Sequence, residues 1–458
     1  MTPSEIDHMI QSYLPIRREK KDLLGEVFTP VFLIDDMLDK VPAHIWRDPE
    51  LTWLDPAAGI GSFCMRIFSR LMTHLPDQYS GTKGGYTTAQ GKRHYIVRHM
   101  LFMVELDAAN VRVAKRVFGS GARICRADFL EEWSRAFDGV THFDVIVGNP
   151  PFNASQVYRD KKGGGESLWP HFVRISLDCL TSKGHLLFVH PSTWRKPRVK
   201  EDAKTDDLYE RMTREHQLEY LEIHSKSDGV RTFGIQTRYD WYLLKKRPST
   251  ASKKTTVKDE LGKTHQLDLR NWPFLPNSHY TEIYRLLGHA DNVLYSRTQF
   301  GTDKAWTHAT QTATYKYPLI HSTPQSGVRY YWTSTKTPKV ASPVPMFGVP
   351  KVVFGESGTS VQRVVVDTAG KYGLTQEAIG LRIRSAKEGR EIKEALLSDA
   401  FQTILQAMSF SQYRIDWRMF VHLKPTFYTH FITRKNGITK KSAKPLRHQV
   451  TRKTRTKN

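Results

Sequence analysis

The stretch Val145-Ile146-Val147-Gly148-Asn149-Pro150-Pro151-Phe152 is an apolar run stopped by an Asn, two prolines and an aromatic. A short apolar run closed by turn residues reads as a strand buried on both faces, as in a covered parallel sheet. Upstream, the run Leu51–Pro56 leads into Asp55-Pro56-Ala57-Ala58-Gly59-Ile60-Gly61-Ser62-Phe63. A strand end followed by Gly-x-Gly and a helix lets backbone approach a ligand and turns helix N–H groups toward it.

Working outward, the chain holds five more strand-like runs: Leu101–Glu105, Arg123–Ala127, His185–His190, Tyr220–His224 and Tyr239–Lys246. Helix-like segments separate most of them, among them Phe63–Leu75, Ala109–Phe118 and Leu168–Leu180. The alternation predicts an α/β fold with a doubly wound, Rossmann-like parallel sheet of seven strands. Pro76 to Arg93, with Gly81, Gly84, Gly85 and Gly91, reads as a loop inserted between the first two units. A linker is expected at Arg247–Lys254, dividing the chain into 1–248, a mixed, strand-rich domain at 249–433 and a basic, disordered tail at 434–458.

Composition narrows the partners. The net charge is +23, and removing the ten Lys/Arg of Arg434–Asn458 still leaves +13. An enzyme of small metabolites has little use for such a surface; a polyanion does, because neutralised phosphates release counterions. Three solitary cysteines (Cys64, Cys125, Cys179), with no CxxC pair, point to a reducing interior and away from structural zinc. No histidine pattern such as HExxH occurs, so no metal is expected. No run of about 18 apolar residues suggests a membrane span, and an intracellular location is expected: cytoplasm or nucleoid, or a nucleus or viral factory for a eukaryotic or viral source.

The residue types at the strand ends point to a donor site and an acceptor site. Gly59 and Gly61 supply permissive backbone, and Asp55 can accept from an amino group. A nicotinamide-binding turn would place glycine at 64, where this chain has Cys64. Glu105 either holds a ribose or caps a helix. Asp128 either accepts from an adenine amino group, with Phe129 packed on the ring, or is the N-cap of a following helix. At the acceptor end, the Asn149 side-chain carbonyl and the Pro150 backbone carbonyl can take the two hydrogens of a planar amine, favouring its nucleophilic form. The prolines fix the backbone, and Phe152 can stack on the ring.

In this order the motifs resemble those of DNA N6-adenine methyltransferases of the gamma class, the Asn-Pro-Pro-Phe family similar to type II restriction-modification enzymes. The resemblance runs from Gly25-Glu26-Val27-Phe28-Thr29-Pro30 to about Lys246. It implies a methyltransferase domain using S-adenosylmethionine, followed by a DNA target-recognition domain. By resemblance, Thr29 and Pro30 touch the methionine part of the donor. Glu105 holds its ribose, and Asp128 and Phe129 hold its adenine. Asn149, Pro150 and Phe152 hold the target base, and Phe233 supplies a second stacking ring. The segment Gly184–Trp194 matches the family's following strand and loop, while Lys161–Gly165 is expected to close over substrate. Ala58-Gly59-Ile60-Gly61 departs from the family's Cys-Gly-Ser-Gly.

The implied activity is site-specific methylation of adenine N6 in double-stranded DNA with the base flipped out, carried out by a monomer. A separately encoded cognate restriction endonuclease is a possible partner. N4-cytosine or RNA-base methylation and a catalytically inactive DNA-binding relative stand as alternatives. Cytosine C5 chemistry needs a nucleophilic cysteine after proline, and no cysteine here follows one. The lone Glu391-Ile392-Lys393, in the helical-looking stretch Ser385–Leu397, reads as a solvated helix face rather than a nuclease site.

Overall fold

The computed structural model describes residues 28–153, 167–199, 208–341, 343–411 and 413–432. Gly25–Val27 of the N-terminal motif, the loop Lys161–Gly165 and the basic tail 434–458 lie outside the described residues.

The strands, in chain order, are β1 (Trp53–Asp55), β2 (Tyr79–Gly81), β3 (Gly84–Tyr86), β4 (Leu101–Glu105), β5 (Arg123–Arg126), β6 (Phe143–Gly148), β7 (Leu180–Pro191), β8 (Gln217–His224), β9 (Tyr239–Lys245), β10 (Thr255–Lys258) and β11 (Thr264–Leu267). Nine of these form one sheet in the order β11-β10-β8-β9-β7-β6-β1-β4-β5. All seven strands read from the sequence are present in it. They are not all parallel, however: β9 lies between β7 and β8 and runs antiparallel to both. The chain leaves β8 through the helix Lys226–Phe233 and returns down the gap, so β9 points the opposite way.

Two expectations are corrected. The loop expected over Pro76–Arg93 is a β2–β3 hairpin, Tyr79 opposite Tyr86, followed by the helix Ala89–Tyr95. The sheet also continues past the linker expected at 247–254, with β10 pairing in parallel with β8 (Thr256 opposite Tyr220) and β11 returning beside β10.

Burial explains why β6 and β7 read as unbroken apolar runs. Ile146, Leu186 and Phe188 enter one core cluster, while Val145, Val147, Leu187 and Val189 enter another on the opposite face. The first cluster continues into the C-terminal part through Phe274, Phe354, Phe401 and Phe420. That part adds β12 (Val293–Leu294), β13 (Thr307–His308), β14 (Tyr317–Ser322), β15 (Arg329–Thr333), β16 (Lys351–Gly355), β17 (Val365–Asp367), β18 (Gly373–Leu374) and β19 (Ala378–Arg382). They form two four-stranded sheets, β12-β19-β16-β17 and β13-β15-β14-β18. A third cluster, including Leu319, Ile320, Val353 and Leu374, lies between these sheets. The helix Ala386–Leu397 matches its expected span and carries Glu391 and an exposed Lys393.

The two parts are bolted together at Arg195. Its guanidinium is fully buried and donates to Asp240 on β9 at 2.6 and 2.9 Å. It also donates to the carbonyls of Leu275 and Pro276 and to Asn277 Oδ1. Asn277 continues the link, with its N–H on the Ala407 carbonyl and its side chain on that of Ser409. No described helix is long and apolar enough to cross a membrane.

Candidate active site

The strand order reverses at β1. The chain fills β4 and β5 on one side of it and β6 and β7 on the other. In doubly wound sheets ligands bind at this reversal, beyond the carboxyl ends of the strands. The two motifs meet there, because β1 and β6 pair in parallel with Trp53 opposite Val145 and Leu54 opposite Ile146. Asp55 and Gly148 therefore end neighbouring strands. Gly148 makes the approach feasible: a Cβ on it would stand 3.0 Å from Asp55 Oδ1 and 3.6 Å from the Pro56 ring. Sequence reading did not single out Gly148, although its place directly before Asn149 was a usable signal.

The loop after β1 is built on left-handed glycines, with φ of +57° at Gly59 and +90° at Gly61. A Cβ on Gly61 would come within 2.9 Å of the Phe118 ring. Gly61 also opens the helix Ser62–His74, whose N-terminus no side chain caps. The loop is tied to β4: the Ala58 N–H donates to the Val104 carbonyl at 3.0 Å, and the Gly59 N–H donates to Glu105 Oε2 at 2.7 Å. The other Glu105 oxygen accepts from the Asp107 N–H at 2.7 Å. Glu105 thus braces the two loops flanking the site. Beside it Leu106 projects into solvent, 59% exposed.

Asp55 is buried, and its Oδ1 accepts from the Ala57 N–H at 3.2 Å. Burial pushes its carboxyl up to about 8; the Ala57 hydrogen bond pulls the other way, and the neighbouring Glu105 charge adds to the rise. Carboxyl groups raised by lack of solvation cluster at functional sites.

The other residues expected to hold the donor are placed as follows. Thr29 is buried, and the Pro30 carbonyl accepts from the Leu33 and Ile34 N–H groups of the helix Val31–Leu38. That helix shares a core cluster with Ile60, Phe63 and Phe233. Asp128 adopts the cap geometry, with Oδ1 accepting from the Leu130 N–H at 3.0 Å. Phe129 is buried against Phe172, ring centroids 5.5 Å apart.

On the acceptor side, Asn149 is half-buried with Oδ1 shielded from water, while Pro150 and Phe152 are buried. Phe152 meets Phe233 edge to face at 5.9 Å and 77°. The sequence places these rings 81 positions apart, and the fold brings them into contact. Phe233 ends a helix that starts with a Ser225–Asp228 capping box and closes on Gly234 at φ +66°. Behind Phe233 stands Tyr239 at 4.8 Å. Its phenol meets the Thr232 hydroxyl at 3.1 Å, and its ring stacks on His224 at 4.3 Å. Sequence reading missed this backing, since its residues sit in segments that look like ordinary strand. Near the end of β7, His190 stacks on Trp169 at 4.1 Å; burial holds its imidazole down to about 4, so it is neutral at physiological pH.

Residues 99–228 match the family model described as Eco57I restriction-modification methylase. The segment covers β4 through β8, including Glu105, Asp128 and Asn149–Phe152. A protein of Mycoplasma pneumoniae described as an uncharacterized adenine-specific methylase is 22% identical, covering 38% of this chain and 59% of its own. Among solved structures, a modification subunit of a putative type I restriction enzyme from Vibrio vulnificus aligns at 16% identity with a TM-score of 0.37, over 62% of this chain and 60% of that one. The type IIL restriction-modification enzyme MmeI, in complex with DNA, aligns at 11% identity with a TM-score of 0.46, over 91% of this chain and 66% of that one. The chain thus spans about three fifths of the first of these relatives. The resemblance to S-adenosylmethionine-dependent adenine methyltransferases, read from the motif order, is borne out by the matched family model and the adenine-specific relative.

Proposed function

We propose that this chain is a site-specific DNA methyltransferase acting on adenine N6, in the manner of the modification arm of a restriction-modification system. The observation that carries the reading is the junction of Asn149-Pro150-Pro151-Phe152 with the Asp55–Gly61 loop on adjacent strand ends, closed to contact by Gly148.

The donor loop fits S-adenosylmethionine. Gly61 leaves no room for a Cβ, the helix Ser62–His74 starts without a side-chain cap, and Asp55 and Glu105 end adjoining strands. Bound there, S-adenosylmethionine would supply an electrophilic sulfonium methyl group. Asp55, Glu105, Thr29 and Pro30 would hold the methionine and ribose parts, and Asp128 and Phe129 the adenine.

On the acceptor side, the Asn149 side-chain carbonyl and the Pro150 backbone carbonyl accept the two amino hydrogens of the target base. This draws the nitrogen lone pair out of conjugation and aims it toward the donor loop. The proton departs after attack, so no side chain with a tuned pKa is required. Phe152 and Phe233 hold the base plane. A base in duplex DNA has to leave the stack to reach them, at a cost of a few kcal/mol. It also has to part them: a base between parallel rings needs two gaps of about 3.4 Å, the rise between stacked bases, and these rings touch edge-on at 5.9 Å. Base entry thus involves a swing of Phe152 or Phe233 as well as of the nucleotide. The strand-rich C-terminal part, with its basic and aromatic surface, would bind the flanking duplex.

The test is mass spectrometry of nucleosides from duplex DNA incubated with the protein and labelled S-adenosylmethionine, with RNA in parallel. N6-methyldeoxyadenosine is the expected product. N4-methylcytosine would correct the base, label in RNA alone would move the activity to RNA, and no label in either would overturn the proposal.

A further inference from the structure

The two C-terminal sheets meet in a cleft of about 290 Å³. One wall is the β14–β15 hairpin, with Ser322, Thr323, Pro324 and Arg329; the other is the end of β16 and the loop after it, with Gly355, Ser357, Gly358, Ser360 and Gln362. The lining is made of hydroxyls, an amide, glycine backbone and one guanidinium. Among the described residues it contains no carboxylate, and its only apolar side chain is that of Pro324.

Hydrogen bonds organise this wall and leave a set of donors over. The Thr323 hydroxyl stitches the two sheets together, accepting from the Gly355 N–H at 2.8 Å and donating to the Arg363 carbonyl at 2.8 Å. The Gln362 side-chain carbonyl accepts from the Gln325 N–H at 3.0 Å, which leaves its amide nitrogen as a donor. Arg363 holds the hairpin turn by donating to the Pro324 and Gln325 carbonyls. The Ser357 hydroxyl donates to Glu377 at 3.4 Å, and Arg414 pairs with both Glu356 and Glu377 at 3.4 and 3.0 Å. Among the described residues no carboxylate pairs with Arg329, which is exposed at the cleft mouth.

An unneutralised guanidinium with spare hydroxyl and amide donors, and no acid in the lining, is the complement of an oxyanion; the Gly355 and Gly358 N–H groups are already taken by the Thr323 hydroxyl and the Tyr413 carbonyl. Gly358, at φ +89° with nothing within 4 Å of where a Cβ would stand, keeps the floor open to a bulky group.

We infer that this cleft between the two C-terminal sheets binds a phosphate group, the phosphodiester of a DNA strand flanking the target base. The inference rests on the DNA reading above and gives it a specific backbone anchor. A phosphate contact fixes register without reading sequence, so Arg329 serves affinity and positioning and leaves site choice to other residues.

The experiment is binding of fluorescent duplexes to the full chain, wild type against Arg329→Gln and Ser360→Ala, across a series of salt concentrations. Thermal unfolding of each variant serves as the check on folding. Arg329→Gln is expected to weaken binding roughly tenfold, equally for cognate and unrelated duplexes, and to lower the salt slope by about one. Ser360→Ala should lose less, with an unchanged slope. Inorganic phosphate, added at constant ionic strength, should compete only at high concentration if the ligand is a backbone phosphodiester; competition at low concentration would reassign the cleft to free phosphate and overturn the proposal. Unchanged affinity and slope in folded Arg329→Gln would also overturn it, as would a changed methylation site, which would make Arg329 a base reader. Failure of the wild type to bind any duplex would instead sink the underlying DNA reading.

Discussion

At the scale of single residues, the proposed function places the chemistry on Asn149, and its removal is the sharpest test. Asn149→Ala should lower single-turnover methylation by about 10²-fold or more, as when one preorganised polar group is taken from a reacting centre. Duplex affinity should hold; a collapse in affinity would make Asn149 a structural residue. Phe152→Ala should slow the same step roughly 5–150-fold, if stacking contributes ~1–3 kcal/mol in the transition state, and an unchanged rate would remove the ring from the mechanism. Asp55 gives a pH prediction. Its folded carboxyl is raised to about 8 from 3.8, so the folded state holds a proton that the unfolded state releases. Stability from this group is full below about pH 4 and falls as pH rises toward 8. In donor-free protein, melting curves of wild type and Asp55→Asn should therefore converge at low pH. Between about pH 4 and 8 the variant should gain on the wild type at a rate of up to about 1.4 kcal/mol per pH unit. Parallel curves across that range would mean that Asp55 is ionised in the fold.

At the scale of elements, the junction of β1 with the helix Ser62–His74 is the sensitive point. Gly61→Ala places a Cβ in left-handed backbone and 2.9 Å from the Phe118 ring. It should destabilise the fold by about 1–3 kcal/mol in urea titration and weaken donor binding, measured by calorimetry, beyond that loss. A variant as stable and as tight as wild type would mean that the loop has another conformation available. The seven strands of the first half were legible because each is an apolar run bounded by turn residues, and the helix Ala386–Leu397 because its period is plain. The β2–β3 hairpin was not. Its strands are three residues each, and three glycines carry the signal of a loop. Whether such a segment pairs is settled by the tyrosines Tyr79, Tyr86 and Tyr95 packing on one another, a contact that no local pattern announces.

For the whole molecule, Arg195, paired with buried Asp240 within the central-sheet part, ties that part to the C-terminal part through the Leu275 and Pro276 carbonyls and Asn277. Arg195→Leu leaves Asp240 buried without its counter-charge and should cost about 3–5 kcal/mol. Unfolding of both parts should remain a single transition, since the core is continuous across them; two separated transitions would show that they fold independently. Adding Asp240→Leu to that variant should recover part of the loss, because removing both charges also removes the desolvation penalty.

What the sequence determined by itself is whatever depends on residues close along the chain. Buried strands, left-handed glycine turns, helix caps and the Asn-Pro-Pro-Phe terminus are decided by local sterics and by the hydrophobic period. Their order was enough to anticipate a doubly wound sheet and the family resemblance. Tertiary structure alone decided which distant residues meet. It set the antiparallel placement of β9, the continuation of the sheet into β10 and β11, and the contact of Phe152 with Phe233 and its Tyr239–His224 backing. It also formed the cleft around Arg329. Each of these depends on the chain closing a long loop to bury surface or satisfy a hydrogen bond, and that balance of entropy against burial is not written in any single segment.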